Sequence, residues 1–524
     1  MKVAKLEWNL HPLASLPALA WCARVEPGNP EVTAWHGHSV ETRRDLLVEG
    51  AWNGSFRESS PVDATVVCGT GAAIGDDGIR FFGSTDRLCP VFSIEKEGAL
   101  FLSNSPIFVM SATGESPDPG YPFYMHDLVR IRRRGPSCLD GKLRLSSGNR
   151  MGVHVGTIVS VGQDGSVGYA THTLGRAPTD YQSYHALLLE GLQGVIANAD
   201  APARKHRYRP LAAISRGYDS CATAALAKEA GCSRAYTFTD SRREDPNGDS
   251  GAENAAHLGM ECVVQDRWAY LRGDGRAEAE TVLLPVSCGS PYIGFGERIQ
   301  DSLIVEGAHG DLIWDVKNSV FFSDFKQSNQ SHASIVHGFN RIELRLRLRC
   351  LLLTPVAIGA RHLDAINRIS TSLEMEPWSV GGAYDRPIPR RIAEEAGIPR
   401  EAFGCAKLAS AHSELKDSAD FSEPALADYL GATVRRLAGL PRSTRYFRLL
   451  STKGYNGWLA ILNLVRASKI IPRPWWGSHF PFKRVPWKFL FTLQWAFETL
   501  QKRYRLDGVG EVAPENGAKG ERTD

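Results

Sequence analysis

The sequence predicts two fold classes in series: a β-rich domain of antiparallel hairpins, then an α/β domain with a doubly wound parallel sheet and a helical C-terminal part. Three observations predict it. Residues 1 to about 170 are rich in β-branched residues and short alternating runs, with Asp-Gly turns at Asp77-Gly78, Asp140-Gly141 and Asp164-Gly165. From Leu211 onward, strand-like and helix-like segments alternate, the pattern of a parallel sheet. Beyond about residue 330 the chain reads mainly as helix.

Composition sets the outer limits. A length of 524 residues suits two or three domains at roughly 100–200 residues each. Hydrophobic residues at 43% and charged residues at 23% exclude global disorder and a fibre. A net charge of +3 argues against a nucleic-acid-coating protein, and no nucleic-acid motif is present. The ten cysteines include no C-x-x-C pair, so reduced, mostly buried thiols in a cytoplasmic protein are expected. The apolar run 13–21 is short and follows Glu7 and His11, which argues against a signal peptide. The longest uncharged stretches, such as 454–465, fall short of the ~20 residues that span a bilayer.

The elements of the second half follow in order. Helical spacing runs over 181–199, and Arg204, Lys205, His206 and Arg207 lead into a strand at 211–215. A helix at about 219–230, a strand at 235–239, a helix at about 250–258 and a strand at 262–264 come next. A fourth strand at 303–305 precedes a Gly-rich turn. Residues 466–505 are basic and aromatic, and the composition from 507 onward is that of a disordered tail.

The chemistry starts at Ile214-Ser215-Arg216-Gly217-Tyr218-Asp219-Ser220, between a strand and a helix. Gly217 lets the backbone approach a ligand, Ser215 and Ser220 supply hydroxyl donors, and the helix start aims N–H groups at an anion. An acid inside an anion site needs a cation, so Asp219 suggests Mg²⁺ shared with a polyphosphate. An ordinary turn with Asp219 or Ser220 as N-cap has the same spacing. The segment resembles the S-G-G-x-D-S loop of ATP pyrophosphatases, the fold of asparagine synthetases and GMP synthetases, which split ATP into AMP and pyrophosphate. The resemblance implies that Ser215, Arg216, Gly217, Asp219 and Ser220 hold pyrophosphate. Arg216 stands where the family usually has Gly; it either points out of the loop or adds a cation to the phosphates.

Two later stretches extend the resemblance. Val305-Glu306-Gly307-Ala308-His309-Gly310-Asp311 is similar to the Gly-rich turn of asparagine synthetase-like enzymes that ends in Gly-Asp. It implies Gly310 at the nucleotide and Asp311 as second Mg²⁺ ligand beside Asp219, with the register through either Gly307 or Gly310. Leu312 replaces the family's usual Glu. His309 touches phosphate, acts as a base, or faces solvent in the turn. The run from Arg386-Pro387 through a helix to Gly404-Cys405-Ala406-Lys407 resembles the family stretch ending in K-x-G. It implies that Lys407 neutralises charge at the adenylate, although Ala409 replaces the Gly; a surface lysine at a helix end is the ordinary alternative. Phe238 and Thr239 are expected near adenine by fold analogy. Related lactam-forming members use a Tyr/Glu base, and Tyr384 and Glu376 lie near in sequence.

In the first half, 83–92 and 98–104 resemble class II glutamine amidotransferase domains, and 143–155, with Gly148, resembles the segment near their end. The implied fold is an Ntn-hydrolase-like α+β sandwich. That family's nucleophile is a Cys directly after the initiator Met; here the position is Lys2, and the first cysteine is the internal Cys22. The resemblance then implies lost glutaminase chemistry, as in lasso-peptide cyclases and β-lactam synthetases.

The expected organisation is a degenerate glutaminase-like domain at 1–175, an ATP-pyrophosphatase domain at 176–465, a basic aromatic helical extension at 466–506 and a tail at 507–524. The expected activity is ATP- and Mg²⁺-dependent amide formation between a small-molecule or peptide carboxylate and an amine or ammonia. A non-catalytic nucleotide-binding or scaffold homologue and an ammonia-dependent asparagine synthetase are the alternatives. The 466–505 stretch meets a membrane surface or a carrier, or packs its aromatics on the core. The arginines at 341, 345, 347 and 349, and at 130 and 132–134, are expected on solvated faces, or against a polyanion or acidic substrate.

Overall fold

The computed structural model describes residues 5–121, 123–124, 127–128, 142–239, 248–283, 289–315, 338–382, 384–404, 420–439 and 491–506. Two sheets occupy the first 170 residues. The first runs β1 (Glu7–Pro12), β3 (Glu31–His36), β2 (Trp21–Val25), β9 (Ala99–Ser103), β8 (Val91–Lys96), β11 (Arg150–His154), β10 (Lys142–Arg144). The second runs β13 (Val167–Ala170), β12 (Ile158–Gly162), β7 (Gly78–Phe82), β6 (Val67–Ile74), β5 (Leu46–Trp52), β4 (Glu41–Thr42). Neighbours pair antiparallel, as the hairpin pattern predicts, except β1, which lies parallel to β3. Every second residue of the strands faces inward: Trp21, Ala23 and Val25 of β2, with Val32 and Ala34 of β3, meet Leu47, Ala72, Ile79, Phe81, Val159 and Val161 of the other sheet. That shared core makes a sheet-on-sheet sandwich.

The third sheet has five strands in the order β16 (Glu261–Gln265), β15 (Arg234–Phe238), β14 (Arg209–Ala213), β17 (Ser302–Val305), β18 (Leu351–Leu353), all parallel. The chain winds outward from β14 in one direction, then returns to β17 on its other side. The order therefore reverses between β14 and β17, and ligands of such sheets bind at the strand carboxyl ends there. Four of the strands stand where the sequence predicts them. β18 is missed, because a three-residue Leu run inside a helical stretch has no period of its own.

The described helices are α1 (Pro106–Ala112), α2 (Tyr181–Ala199), α3 (Tyr218–Glu229), α4 (Ala252–His257), α5 (Gly310–Ile313), α6 (Ile342–Leu348), α7 (Leu363–Ser370), α8 (Pro387–Glu395), α9 (Glu423–Gly439) and α10 (Thr492–Leu500). An Asp180–Ser183 capping box starts α2. α3 is buried nearly all round by small residues, Cys221, Ala222, Ala224, Ala225 and Ala227 among them, which lets it lie close on the sheet.

The arginines of α6 and its flanks are each paired with an acid; Arg341 and Arg345 are buried, Arg349 is part-buried and Arg347 keeps an exposed side. Arg341 pairs with Glu306 at 2.6 Å, Arg345 with Glu49 at 2.6 Å, Arg347 with Glu280 at 2.7 Å and Arg349 with Asp301 at 2.5 Å. The reason is position: α6 is inserted between the sandwich and the parallel sheet, and each guanidinium is matched by an acid from a different segment. The run at 130–134 lies outside the described residues. Of the 466–505 stretch, the described part packs inward: Phe491, Trp495 and Phe497 are buried, and Trp495 Nε1 donates to Asp428 at 2.8 Å. The seven described cysteines are free thiols, six of them buried. Among the described residues no helix is long and apolar enough to cross a membrane.

Candidate functional site

The loop after β14 and the turn after β17 meet at the reversal point. Two glycines of the turn make this possible. A Cβ on Gly307 would lie 2.6 Å from the Asp219 carbonyl carbon, and one on Gly310 would lie 2.2 Å from the Asp219 Cγ. Both candidate registers of the turn therefore rest on Asp219. Asp311 follows directly, in the first turn of α5.

The loop is ordered by its own hydroxyls. Ser215 Oγ and Ser220 Oγ are 2.7 Å apart, Gly217 N donates to Ser215 Oγ at 3.1 Å, and Ser220 Oγ donates to the Gly217 carbonyl at 3.1 Å. Gly217 itself is the N-cap of α3, in place of Asp219 or Ser220, with an ordinary φ of −84° and no side-chain cap bond. A Cβ there would meet nothing nearer than 3.4 Å. The surrounding chain therefore makes no demand for glycine at 217, in contrast to 310. Arg216 is exposed, pointing out of the loop, with its N–H on Asp249 Oδ1 at 3.1 Å.

Asp219 is held by a residue that the sequence reading passed over. Arg386, 1% exposed, places Nη1 at 2.7 and 2.6 Å from the two Asp219 oxygens, and lies 3.9 Å from Asp315. Burial alone would lower its guanidinium; Asp219, with Asp311 further off, raises it on balance. A signal was available. Arg386 is the N-cap of α8, announced by Pro387 at N1, and the helix dipole disfavours a cation there.

A second unanticipated residue is the acid Asp249. It lines a cavity with Ser215, Ser220, Phe238, Arg267 and Tyr292. Burial pushes its carboxyl up to about 6, and Oδ2 has no partner among the described residues. Phe238 is part of this wall, with the Arg267 guanidinium 4.8 Å from its ring centre. Thr239 is not; it is exposed and donates its N–H to the Gln265 carbonyl at 3.0 Å.

Other expectations change. His309 does not face solvent: it is buried at a left-handed φ of 73°, with Nε2 3.1 Å from the Asp86 carbonyl, and burial pushes its ring down to about 4. It serves as a tie to the sandwich. The Tyr384 ring packs at a tilt of 56° on Tyr218, 4.8 Å between centres, beside the loop, whereas Glu376 is exposed. Lys407 lies outside the described residues. The chain reaches Gly404 against the loop, with Gly404 N donating to the Arg216 carbonyl at 2.9 Å.

No family model and no curated protein matches this chain.

The described residues contain no group of three or more His, Cys, Asp or Glu placed to hold a metal. Mg²⁺, however, commonly takes one or two carboxylates together with substrate phosphates. Asp219 and Asp315 both approach Arg386, at 2.6 and 3.9 Å, and Asp311 acts on the same guanidinium; these hard oxygen donors suit that ion, with Arg386 as its competitor for Asp219.

Proposed function

We propose that the chain is an asparagine synthetase-like, ATP- and Mg²⁺-dependent ligase that adenylates a carboxylate and passes the acyl group to an amine. One observation carries the reading: a hydroxyl-rich strand-to-helix loop and a Gly-Asp turn meet at the reversal point of a parallel sheet, with Gly310 pressed on Asp219. A sandwich preceding that sheet is consistent with a glutaminase-type fold without its chemistry.

In this reading the free N–H groups at the start of α3 and the Ser215 and Ser220 hydroxyls grip the β- and γ-phosphates. Asp219 and Asp311 would hold Mg²⁺, which when bound neutralises the polyphosphate. Arg386 supplies a second, fixed positive charge. Phe238 walls the base side. Lys407 stabilises negative charge on the adenylate while the amine attacks the carbonyl carbon and AMP leaves.

Pyrophosphate release from ATP, screened over carboxylates and amines, tests the proposal. Release that disappears in both Asp219→Ala and Asp311→Ala supports it; release undiminished in both would falsify the site. The pairing of Asp219 with Arg386 favours a second reading, a nucleotide-binding homologue without turnover. Calorimetric ATP binding that needs no Mg²⁺ and yields no pyrophosphate would select it.

A further inference from the structure

Arg386 is buried, charged and only partly used. Its side chain is 1% exposed, and a single nitrogen, Nη1, meets both Asp219 oxygens at 2.7 and 2.6 Å. A guanidinium carries five N–H donors on three nitrogens. Here Nε and Nη2 are buried and make no hydrogen bond among the described residues. The group nearest to Nη2 is on the page: Asp315 Oδ2 stands 3.9 Å away. A shift of about 1 Å closes that gap to hydrogen-bond length.

The guanidinium therefore lies between two acids on different elements. Asp219 belongs to the first turn of α3, and Asp315 follows α5 by two residues. Asp219 has little room to follow a moving partner, because the turn after β17 rests on it: a Cβ on Gly310 would lie 2.2 Å from its Cγ. The Tyr384 ring lies 5.0 Å from the guanidinium carbon. A ring face attracts the cation without choosing between the acids.

A divalent ion on Asp219 and a guanidinium on both of its oxygens exclude each other, since two cations at that separation repel. Parting a buried arginine from its acid is costly when no other acid takes it. Asp315 lowers that cost. The positive charge stays in the site to within about 1 Å, and only the acid that it faces changes.

We propose that Arg386 is a placeholder for the metal: it holds Asp219 until Mg²⁺ arrives with nucleotide, and then passes to Asp315. This rests on the ligase reading and adds to it how the metal site is loaded. Asp219 and Asp311 remain the metal's ligands. Asp315 is a positioning residue that acts on the metal through Arg386.

The test is calorimetric binding of an ATP analogue, methylene-bridged between the α- and β-phosphates so that no pyrophosphate leaves, to the full chain at a series of Mg²⁺ concentrations. Asp315→Asn, isosteric and at a side chain 17% exposed, raises the Mg²⁺ concentration for half-maximal binding at least tenfold. In an Arg386→Met background the same substitution changes it less than twofold, because no arginine is left to receive. Mg²⁺-dependent binding that is unchanged by Asp315→Asn overturns the proposal and leaves the ligase reading standing. A tenfold loss that persists in the Arg386→Met background also overturns it, by making Asp315 a metal ligand. No binding by the unaltered chain, or binding indifferent to Mg²⁺, overturns the proposal and the reading together.

Discussion

Arg386 grips both oxygens of Asp219 with one nitrogen, at 2.7 and 2.6 Å, from the N-cap of α8. Arg386 is buried and Asp219 is 22% exposed, so the two ends of the pair are not equivalent. Removing the acid strands a buried cation; removing the cation leaves an acid that water reaches. Asp219→Ala is therefore expected to cost about 3 kcal/mol in urea denaturation, and Arg386→Met clearly less. Under the ligase reading Arg386→Met also tightens Mg²⁺, read as a lower Mg²⁺ concentration for half-maximal nucleotide binding. Equal losses of stability in the two variants would refute the asymmetry.

Gly217 and Gly310 separate a ligand's demand from a structural one. Gly310→Ala drives a Cβ to within 2.2 Å of Asp219, so a loss of about 1–3 kcal/mol is expected. Gly217→Ala makes only ordinary van der Waals contacts, the nearest at 3.4 Å with Ser215 Oγ, and is expected to change stability by under about 0.5 kcal/mol. It nevertheless weakens ATP at least tenfold, by crowding the phosphates. Thermal melts and ATP titrations of the two variants check both halves. Unimpaired ATP binding by a folded Gly217→Ala protein would remove the loop from the nucleotide site.

Glu343 makes stability fall as pH rises. Its carboxyl is fully buried, and burial pushes it from 4.5 up to about 7, against the donors Ser105 Oγ and Tyr504 OH. Between those values the folded chain keeps a proton that the unfolded chain has lost, so each step up in pH favours unfolding. Glu343→Gln removes this dependence. Relative to the variant, the native protein is expected to lose about 3 kcal/mol between pH 4.5 and 7. Denaturation at both pH values checks it, and a difference that does not change with pH would count against the assignment.

The Glu49–Arg345 pair is closed to water at both ends, 0% and 2% exposed, and Glu49 also accepts from Thr70 Oγ1 and Asn104 Nδ2. Glu49→Ala is expected to cost about 3–5 kcal/mol. Adding Arg345→Met should recover most of this, because the unpaired charge goes with it. Additive losses in the double-variant cycle would show that the two side chains do not act together.

How much of this was legible in the sequence depends on the range of the interaction. The 214–220 loop and the strands at β14–β17 are local patterns, in which a strand, a glycine and a helix start follow each other within a few residues. β18 carries no such local pattern. Arg386 and Asp219 are separated by 167 positions, and no periodicity within either segment reports the partner in the other. The same holds for the α6 arginines: a basic run on a helix has one appearance whether it faces water or four acids drawn from distant segments. His309 was misjudged for a related reason, since a histidine in a Gly-rich turn looks exposed until the sandwich covers it.

α6 has a consequence for anyone who would cut the chain. Within seven residues it presents Arg345 to Glu49 of the sandwich, Arg347 to Glu280, and Glu343 to Ser105 and to Tyr504 near the C-terminal end of the described chain. A sandwich expressed alone would keep Glu49 in its interior with its cation missing, and the remainder would expose Arg345 with nothing to meet it. Recombining the sandwich with a foreign parallel-sheet half would fail in the same way unless α6 and its acids travelled together. The two halves are therefore a single heritable part, and exchange between relatives should succeed only with breakpoints that keep this helix and its partners from one parent.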